Sequence, residues 1–171
     1  MTQRDKIDEV RAQWRRAAPE LDTSPIEILG RIYRIAAITG RAIAEAFEAH
    51  KLERGEFDVL ATLYRAGEPH ELTPTELYRQ LMITSGGLTH RLNLLENARL
   101  ITRAKSPNDG RSFRVRLTKA GRERVLAAYA DDLAREARLL DGLDDRDRAE
   151  LAALLRRLHL IVDRNTEKRS D

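Results

Sequence analysis

The chain has 171 residues, of which 35% are charged and 5% aromatic, a composition typical of a helix-rich globular protein with a modest core. It contains no cysteine, which excludes a disulfide framework, a thiolate zinc site and a thiol-based redox switch. Its histidines lie at no metal-ligand spacing from one another. No apolar run approaches the roughly 20 residues that cross a bilayer, and the first 16 residues lack the apolar segment of a secretory signal. We therefore expect no metal, no cofactor, no membrane partner and a cytoplasmic location.

The positive charge is concentrated in one part of the chain. The whole chain has a net charge of +3, whereas residues 79–122 hold ten basic residues against two acidic ones, a net +8. The rest of the chain is therefore acidic. A concentration of positive charge on one module is typical of nucleic-acid binding. A solvated basic face is the alternative, although such faces usually interleave Glu with Lys.

The N-terminal segment predicts a first helix. Ile7, Val10 and Trp14 fall on one helical face, so we expect a helix from about Asp5 to Arg16. Pro19 ends it.

A second, longer helix is predicted after a short connection. Ser24 can cap it, Pro25 suits its first position and Glu27 completes a capping box. The helix runs to about Lys51 and is then about 37 Å long at 1.5 Å per residue. A helix of this length exceeds what a small winged helix-turn-helix domain needs. We therefore expect part of the face of this helix to pack against a second subunit.

A helix-turn-helix is predicted in the middle of the chain. Residues 57–64 form an apolar helix, and the Thr73–Glu76 capping box opens a short one. After a turn at residues 82–83, Thr84 can cap another helix, the second of the helix-turn-helix, which is polar and basic on its outer side. Its buried stripe is Leu88, Leu92 and Leu95.

A hairpin follows the helix-turn-helix. Residues 101–105 and 112–117 predict two strands joined by a turn at 107–110 that contains Asp-Gly. Phe113, Val115 and Leu117 alternate with polar and basic residues, which leaves one wet, basic face. This hairpin is the expected wing.

Two more helices complete the predicted fold, which is mainly α with a small β-hairpin wing. Thr118 caps one helix to about Leu140, and another begins near Asp144. The last helix carries a continuous apolar stripe: Leu151, Leu154, Leu155, Leu158, Ile161 and Val162. Since nothing local covers it, we expect an intertwined dimer. We predict one domain over residues 1–171, with helical dimerisation regions at 1–50 and 119–171 and the winged helix-turn-helix at 54–118.

Three segments resemble MarR-family transcriptional regulators. Residues 83–96, Ile-Thr-Ser-Gly-Gly-Leu-Thr-His-Arg-Leu-Asn-Leu-Leu-Glu, resemble the family's recognition helix. Residues 109–112, Asp-Gly-Arg-Ser, resemble its wing tip, and residues 117–121, Leu-Thr-Lys-Ala-Gly, the start of the helix after the wing. The resemblance covers about residues 28–162. It implies a homodimeric repressor that binds a pseudo-palindromic duplex operator and is released by a small anionic aromatic ligand.

The chain departs from the family pattern at Arg99, where the family usually has glycine between recognition helix and wing. A non-glycine residue in the left-handed conformation costs on the order of 1–2 kcal/mol. We therefore expect the helix to end differently here.

A narrower resemblance is to the urate-responsive, PecS-like branch, which carries an extra N-terminal helix with a tryptophan followed by a Leu-Asp-x-Ser-Pro segment. Here these are Trp14 and residues 21–25. The resemblance implies a site for urate or a related purine, formed by Trp14, Asp58, Arg91 and Arg103.

Three of these four residues also have a purely structural interpretation. Trp14 could be a core anchor of its helix, and Asp58 could lie on a solvated face with Thr62 and Arg65. Arg103 could pair with Asp58 and hold the wing, and we hypothesise that this pair forms in the DNA-bound state and is disrupted by an anionic ligand.

The DNA-contacting residues are expected on the helix that Thr84 caps and on the wing. An exposed arginine at the wing tip, Arg111, is expected in the minor groove, whose narrow form attracts positive charge. The candidates are Thr84, Ser85, Thr89, His90, Arg91, Lys105, Arg111 and Arg114.

Other functions find less support in the sequence. It has no glycine-rich phosphate loop, no nucleophile motif and no paired histidine and carboxylate, so we expect no enzyme. A winged-helix module that binds protein is a remote alternative, which the +8 segment disfavours. Within the regulators, a protein that responds to phenolic or other aromatic acids remains the alternative to a purine sensor.

Overall fold

The structure is a computed structural model that describes residues 4–81, 87–106 and 109–168, without the side chains of residues 106 and 109–112. Its elements confirm the predicted class, mainly α with a small antiparallel sheet. They are α1 (Lys6–Ala17), α2 (Ser24–Ala49), α3 (Arg54–Arg65), β1 (Glu71–Leu72), α4 (Pro74–Gln80), α5 (Leu88–Asn97), β2 (Ile101–Ser106), β3 (Asp109–Leu117), α6 (Lys119–Leu139) and α7 (Asp145–Glu167). The chain forms two compact units, residues 1–136 and 137–171. No helix among the described residues is long and apolar enough to cross a membrane.

The predicted capping box at α4 is confirmed, and the one at α2 is wrong. The Thr73 hydroxyl accepts from the Glu76 amide at 3.2 Å, and the Glu76 carboxylate accepts from the Thr73 amide at 2.8 Å. At α2, Ser24 is the first helical residue instead of the cap. Its amide donates to the Asp22 carboxylate at 2.9 Å, because an aspartate two residues earlier offers a closer acceptor.

The core of the first unit is built around α3, α5 and the sheet. Leu92 and Leu95 of α5 are 2% and 1% exposed, which confirms the predicted buried stripe. They join a cluster that includes Leu60 and Leu63 of α3. The predicted cap Thr84 lies outside the described residues, and α5 begins later than predicted, after Gly87 with φ of 92°.

The wing is confirmed as an antiparallel hairpin of β2 and β3, and a third strand extends its base. The strand order is β1-β3-β2, with Glu71 of β1 opposite Arg116 of β3. Val115 and Leu117 are buried, as their alternation predicts. Strand β1 was not predicted because two residues are too short to show a period.

The expectation for the end of α5 is wrong. Arg99 adopts the left-handed conformation with φ of 59°, as the family glycine would. The Leu100 amide donates to the Leu95 carbonyl at 2.9 Å, and the Thr118 hydroxyl donates to the Arg99 carbonyl at 2.8 Å. Leu100 and Ile101, the next two residues, are buried in the core, and their burial offsets the backbone strain at Arg99.

The helix after the wing begins as predicted, because the Thr118 hydroxyl accepts from the Gly121 amide at 3.0 Å. The second unit has its own helix start: Asp144 caps α7 by accepting from the Asp147 amide at 2.8 Å. None of the 23 residues of α7 is buried in the single chain.

Candidate functional site

A carboxylate lies at the edge of the core on α3. Asp58 is half-buried, and its Oδ2 atom is buried with no hydrogen-bond partner among the described residues. Burial raises the pKa of Asp58 above its ordinary 3.8, against the opposing charges of Arg54, Arg65 and Arg91. The solvated-face interpretation is wrong, because Thr62, one turn further along the same stripe, is 1% exposed.

Arg91 connects α5 to the same face of α3. A Cβ atom placed on Gly55 would lie 2.2 Å from Arg91 Nε and 2.5 Å from its Cζ. The guanidinium therefore occupies the space that a side chain at Gly55 would fill. Gly55 lies three residues before Asp58 on the helix, so Arg91 lies on the face of α3 that carries Asp58.

A second buried carboxylate, Asp132 of α6, was missed by the sequence interpretation. It is 6% exposed, and its Oδ1 atom has no hydrogen-bond partner among the described residues. Burial raises the pKa of Asp132 most, the charges of Glu136 and Asp58 raise it further, and Arg54 opposes them. The sequence did carry a signal, since Asp132 continues a buried helical stripe: Gly121, Val125 and Ala128.

The helices that carry the two carboxylates are in contact at this level. The rings of Phe57 and Tyr129 lie 5.9 Å apart, and these residues are one and three positions before Asp58 and Asp132. Arg54 lies one turn before Asp58 and acts on the pKa of both carboxyls. In the described ranges, no three His, Cys, Asp or Glu side chains gather in a way that could hold a metal ion.

Arg103 of β2 contacts α5 instead of Asp58. Its Nη2 donates to Asn93 Oδ1 at 2.6 Å, and its Nε lies 3.2 Å from Glu96 Oε2, an ion pair without hydrogen-bond geometry. The expected Asp58–Arg103 pair is thus not formed in this structure. Strand β2 runs beside α5, so the α5 residues Asn93 and Glu96 are the partners of Arg103. Arg103 links the wing to the helix-turn-helix through Asn93 and Glu96.

Trp14 lies on α1, which packs against α2, whereas the other three predicted ligand residues lie on α3, α5 and β2. It is 46% exposed, so it is not a core anchor within the single chain. Helix α1 is held on α2 by Arg31, whose Nε and Nη2 lie 2.7 and 2.8 Å from carboxylate oxygens of Asp5 and Asp8. No hydrogen bond, ion pair or ring contact joins Trp14 to Asp58, Arg91 or Arg103 in the described part of the chain.

The predicted DNA-contacting residues are only partly in view. Thr89 and His90 are exposed on α5, and Lys105 is exposed on β2. Thr84 and Ser85 lie outside the described residues, as does the side chain of Arg111.

Part of the wing's positive charge is compensated at its base. Glu71 of β1, which the sequence interpretation missed, has Arg116 Nε at 2.7 Å and Arg114 Nη1 at 3.5 Å. Since Glu71 is opposite Arg116 in the sheet, the same strand pairing that extends the wing orients two of its arginines. Arg114, a predicted DNA contact, thus has an acidic partner in the free protein.

Comparison with known proteins agrees with this architecture. Residues 50–112 match the MarR family model. The chain is 32% identical over 161 residues to the HTH-type transcriptional regulator PecS of Dickeya dadantii (strain 3937), which covers 93% of this chain and 97% of PecS.

Solved structures share the fold. A MarR-like transcription regulator from Bacillus cereus superposes with a TM-score of 0.72 at 18% identity, covering 81% of this chain and 97% of that chain. A cysteine-to-serine mutant of E. coli MarR in complex with operator DNA superposes with a TM-score of 0.66 at 23% identity, over 91% and 99% of the two chains. The identity to PecS over almost the whole chain, together with the match to the family model, identifies the chain as a member of the MarR family of DNA-binding helix-turn-helix transcriptional regulators, in its PecS-like branch.

Proposed function

We propose that this regulator represses transcription as a homodimer on a pseudo-palindromic duplex operator, in the cytoplasm, and that urate or a related purine anion releases it. The observation that carries the ligand part is the buried, unpartnered Asp58 Oδ2 on the face of α3 where Arg91 of α5 also lies. A molecule bound there would contact the helix that we assign to the major groove. Residues 54–118 are the proposed DNA-binding region, and residues 1–50 and 119–171 the proposed dimerisation regions.

The DNA part of the proposal is supported by the two exposed polar residues of α5, Thr89 and His90, and by the basic hairpin that follows. In a helix-turn-helix protein the second helix enters the major groove, and a two-fold dimer places two such helices about one turn of DNA apart. Arg111, at the tip of the wing, is the proposed minor-groove contact.

The homodimer is supported by large apolar side chains that the single chain leaves exposed. Tyr33 and Ile35 of α2 are 69% and 59% exposed, and Leu154 and Leu160 of α7 are both 56% exposed. Helices that expose this many large apolar side chains are candidates for an interaction site. A second copy is the proposed occupant, because a two-fold operator requires two equivalent DNA-reading helices.

The switch is proposed to act through the two arginines that contact the helix-turn-helix. Arg91 belongs to α5 and lies over α3, while Arg103 holds β2 to α5 through Glu96 and Asn93. An anion that competes for Arg103 would weaken its contact with Glu96 and so loosen the wing from α5. A tenfold weakening of DNA binding requires about 1.4 kcal/mol of coupling, within reach of one rearranged charge pair.

Operator binding with rising urate tests the ligand proposal. Trp14→Phe is expected to weaken the response and to leave operator affinity almost unchanged, because Trp14 lies outside the DNA-reading region. Arg103→Ala is expected to blunt the response more and to loosen DNA binding. If urate never releases the wild type while salicylate does, the regulator responds to aromatic acids, and the purine proposal is wrong.

Arg111→Ala tests the DNA proposal by fluorescence anisotropy on a labelled operator. It is expected to cost about 1–3 kcal/mol, the range for one specific arginine contact. Lys119→Ala is the matched control, expected to cost less and to act similarly on all sequences, because Lys119 is an exposed residue paired at 3.9 Å with Glu123. Normal operator binding by Arg111→Ala would refute the assigned wing contact.

A further inference from the structure

Two carboxylate oxygens are buried without a hydrogen-bond donor where α3 and α6 meet. They are Asp58 Oδ2 and Asp132 Oδ1, and Asp132 is more than nine-tenths buried. The rings of Phe57 and Tyr129, whose centroids lie 5.9 Å apart, bring the two helices near each other at this level. Native proteins rarely leave a buried acceptor unpaired, and an exception calls for a specific explanation.

The charged groups around this carboxylate pair do not supply the missing donors. Arg54, Arg65 and Arg91 lie close enough to oppose the raised pKa of Asp58, and Arg54 also opposes that of Asp132. Among the described residues, however, none of them donates to either orphaned oxygen. Glu136 adds negative charge beside Asp132. The pair therefore presents two acceptors with arginines beside them.

We propose that Asp132 is a specificity-determining residue of the ligand site, where it and Asp58 accept hydrogen bonds from ring N–H groups of a planar nitrogen heterocycle. This inference rests on the proposed function and deepens it. Oxygen atoms on the opposite edge of such a ligand would face the arginines. The site then selects a heterocycle that has both N–H donors and carbonyl or anionic oxygens.

The same arrangement disfavours aromatic acids. A benzoate-type ligand brings a carboxylate and no ring N–H, so it would leave both buried acceptors unpaired and add another negative charge to those of Asp58, Asp132 and Glu136. A site built to hydrogen-bond a substrate N–H rejects analogues that lack it far more strongly than an apolar pocket rejects an extra methyl group. Asp132 thus separates the two ligand classes that the sequence left open.

The test is isothermal titration calorimetry of the full-length protein with xanthine, 1,3,7-trimethylxanthine and salicylate. The wild type is expected to bind xanthine at least tenfold more tightly than the trimethyl compound, whose three methyl groups replace its ring N–H donors. Asp132→Ala is expected to weaken xanthine at least tenfold and to leave salicylate unchanged or tighter. Asp131→Asn is the matched control, because Asp131 is the neighbouring carboxylate and its side chain is 61% exposed.

Asp132→Asn is a second variant, which keeps the test valid if the alanine variant does not fold. It is close in shape, but its amide presents N–H groups to the ligand's own donors, so xanthine should weaken at least fivefold. Thermal unfolding and operator affinity report whether each variant is folded. Unchanged xanthine affinity in a folded Asp132 variant overturns the inference and leaves the proposed function intact. A wild type that binds salicylate and no purine overturns both.

Discussion

Helices α3 and α7 both carry several large apolar residues, and they differ in how much of their surface the single chain buries. Helix α3 buries seven of its twelve residues, whereas α7 buries none of its 23. An apolar helix surface must be covered, but the residues of the helix do not show what covers it. The core around α3 is covered by its own chain, whereas α7 leaves its apolar side chains exposed in the single chain. The free energy of unfolding of the core around α3 should therefore depend on contacts within one chain. The stability of α7 should depend on protein concentration.

The largest expected effect is at the centre of the core around α3. Leu60→Ala removes a side chain with 0% exposure from the core cluster and should lower the free energy of unfolding by about 2–5 kcal/mol. Urea denaturation would show a lower midpoint at an unchanged slope. A loss below about 1 kcal/mol would mean that α3 is less tightly packed than its burial indicates.

A leucine of α7 provides the matched comparison. Leu154 is 56% exposed in the single chain, so Leu154→Ala should weaken dimerisation and leave the packing of α3 untouched. Burial of a leucine contributes about 1.5–3 kcal/mol, so the dimer dissociation constant should rise at least tenfold. Sedimentation equilibrium measures it. An unchanged constant would show that this side chain stays exposed in the dimer.

The left-handed end of α5 should yield a smaller, stabilising change. Arg99→Gly should raise the free energy of unfolding by about 1 kcal/mol, because glycine adopts φ of 59° without steric cost. Ala98→Gly is the control: Ala98 has helical φ and ψ, so there glycine should destabilise. Thermal unfolding of both variants separates backbone strain from a general effect of glycine. Destabilisation by both would show that the Arg99 side chain has a stabilising contact.

The smallest effect expected at neutral pH concerns the buried Asp132. Burial raises its pKa in the folded state, so the folded protein binds a proton more readily than the unfolded chain. The free energy of unfolding therefore falls as pH rises from the ordinary pKa of 3.8 through the raised pKa of the folded state. Above the raised pKa, the full cost of burying the ionised carboxylate remains. Asp132→Asn should raise the melting temperature at pH 7, with the gain vanishing below pH 3.8. A gain that grows with acidity would contradict the raised pKa.

Local patterns were sufficient for the helices and the hairpin of residues 54–118, but not for the two-residue strand β1. The Thr73–Glu76 box, the leucine stripe of α5 and the alternation of Phe113, Val115 and Leu117 act over a few residues. Each carries its own signal because capping, helical period and strand period are local properties. At Ser24 the same reasoning failed, since Asp22 competes for the amide that the capping pattern assumes to be free.

The partners of the charged side chains were decided only by the tertiary structure. Residue types and a family resemblance singled out Asp58, Arg91 and Arg103, yet Arg103 pairs with Glu96 and Asn93. Asp132 is buried by segments far from it in the chain, and only the fold brings Tyr129, on the same helix, to within 5.9 Å of Phe57 of α3. The sequence by itself determined the helices and the hairpin, though not β1 or the cap of α2, because hydrophobic period and most caps are encoded within one or two turns. Which buried oxygen lacks a donor depends on atoms brought together from distant segments, and that is settled by packing alone.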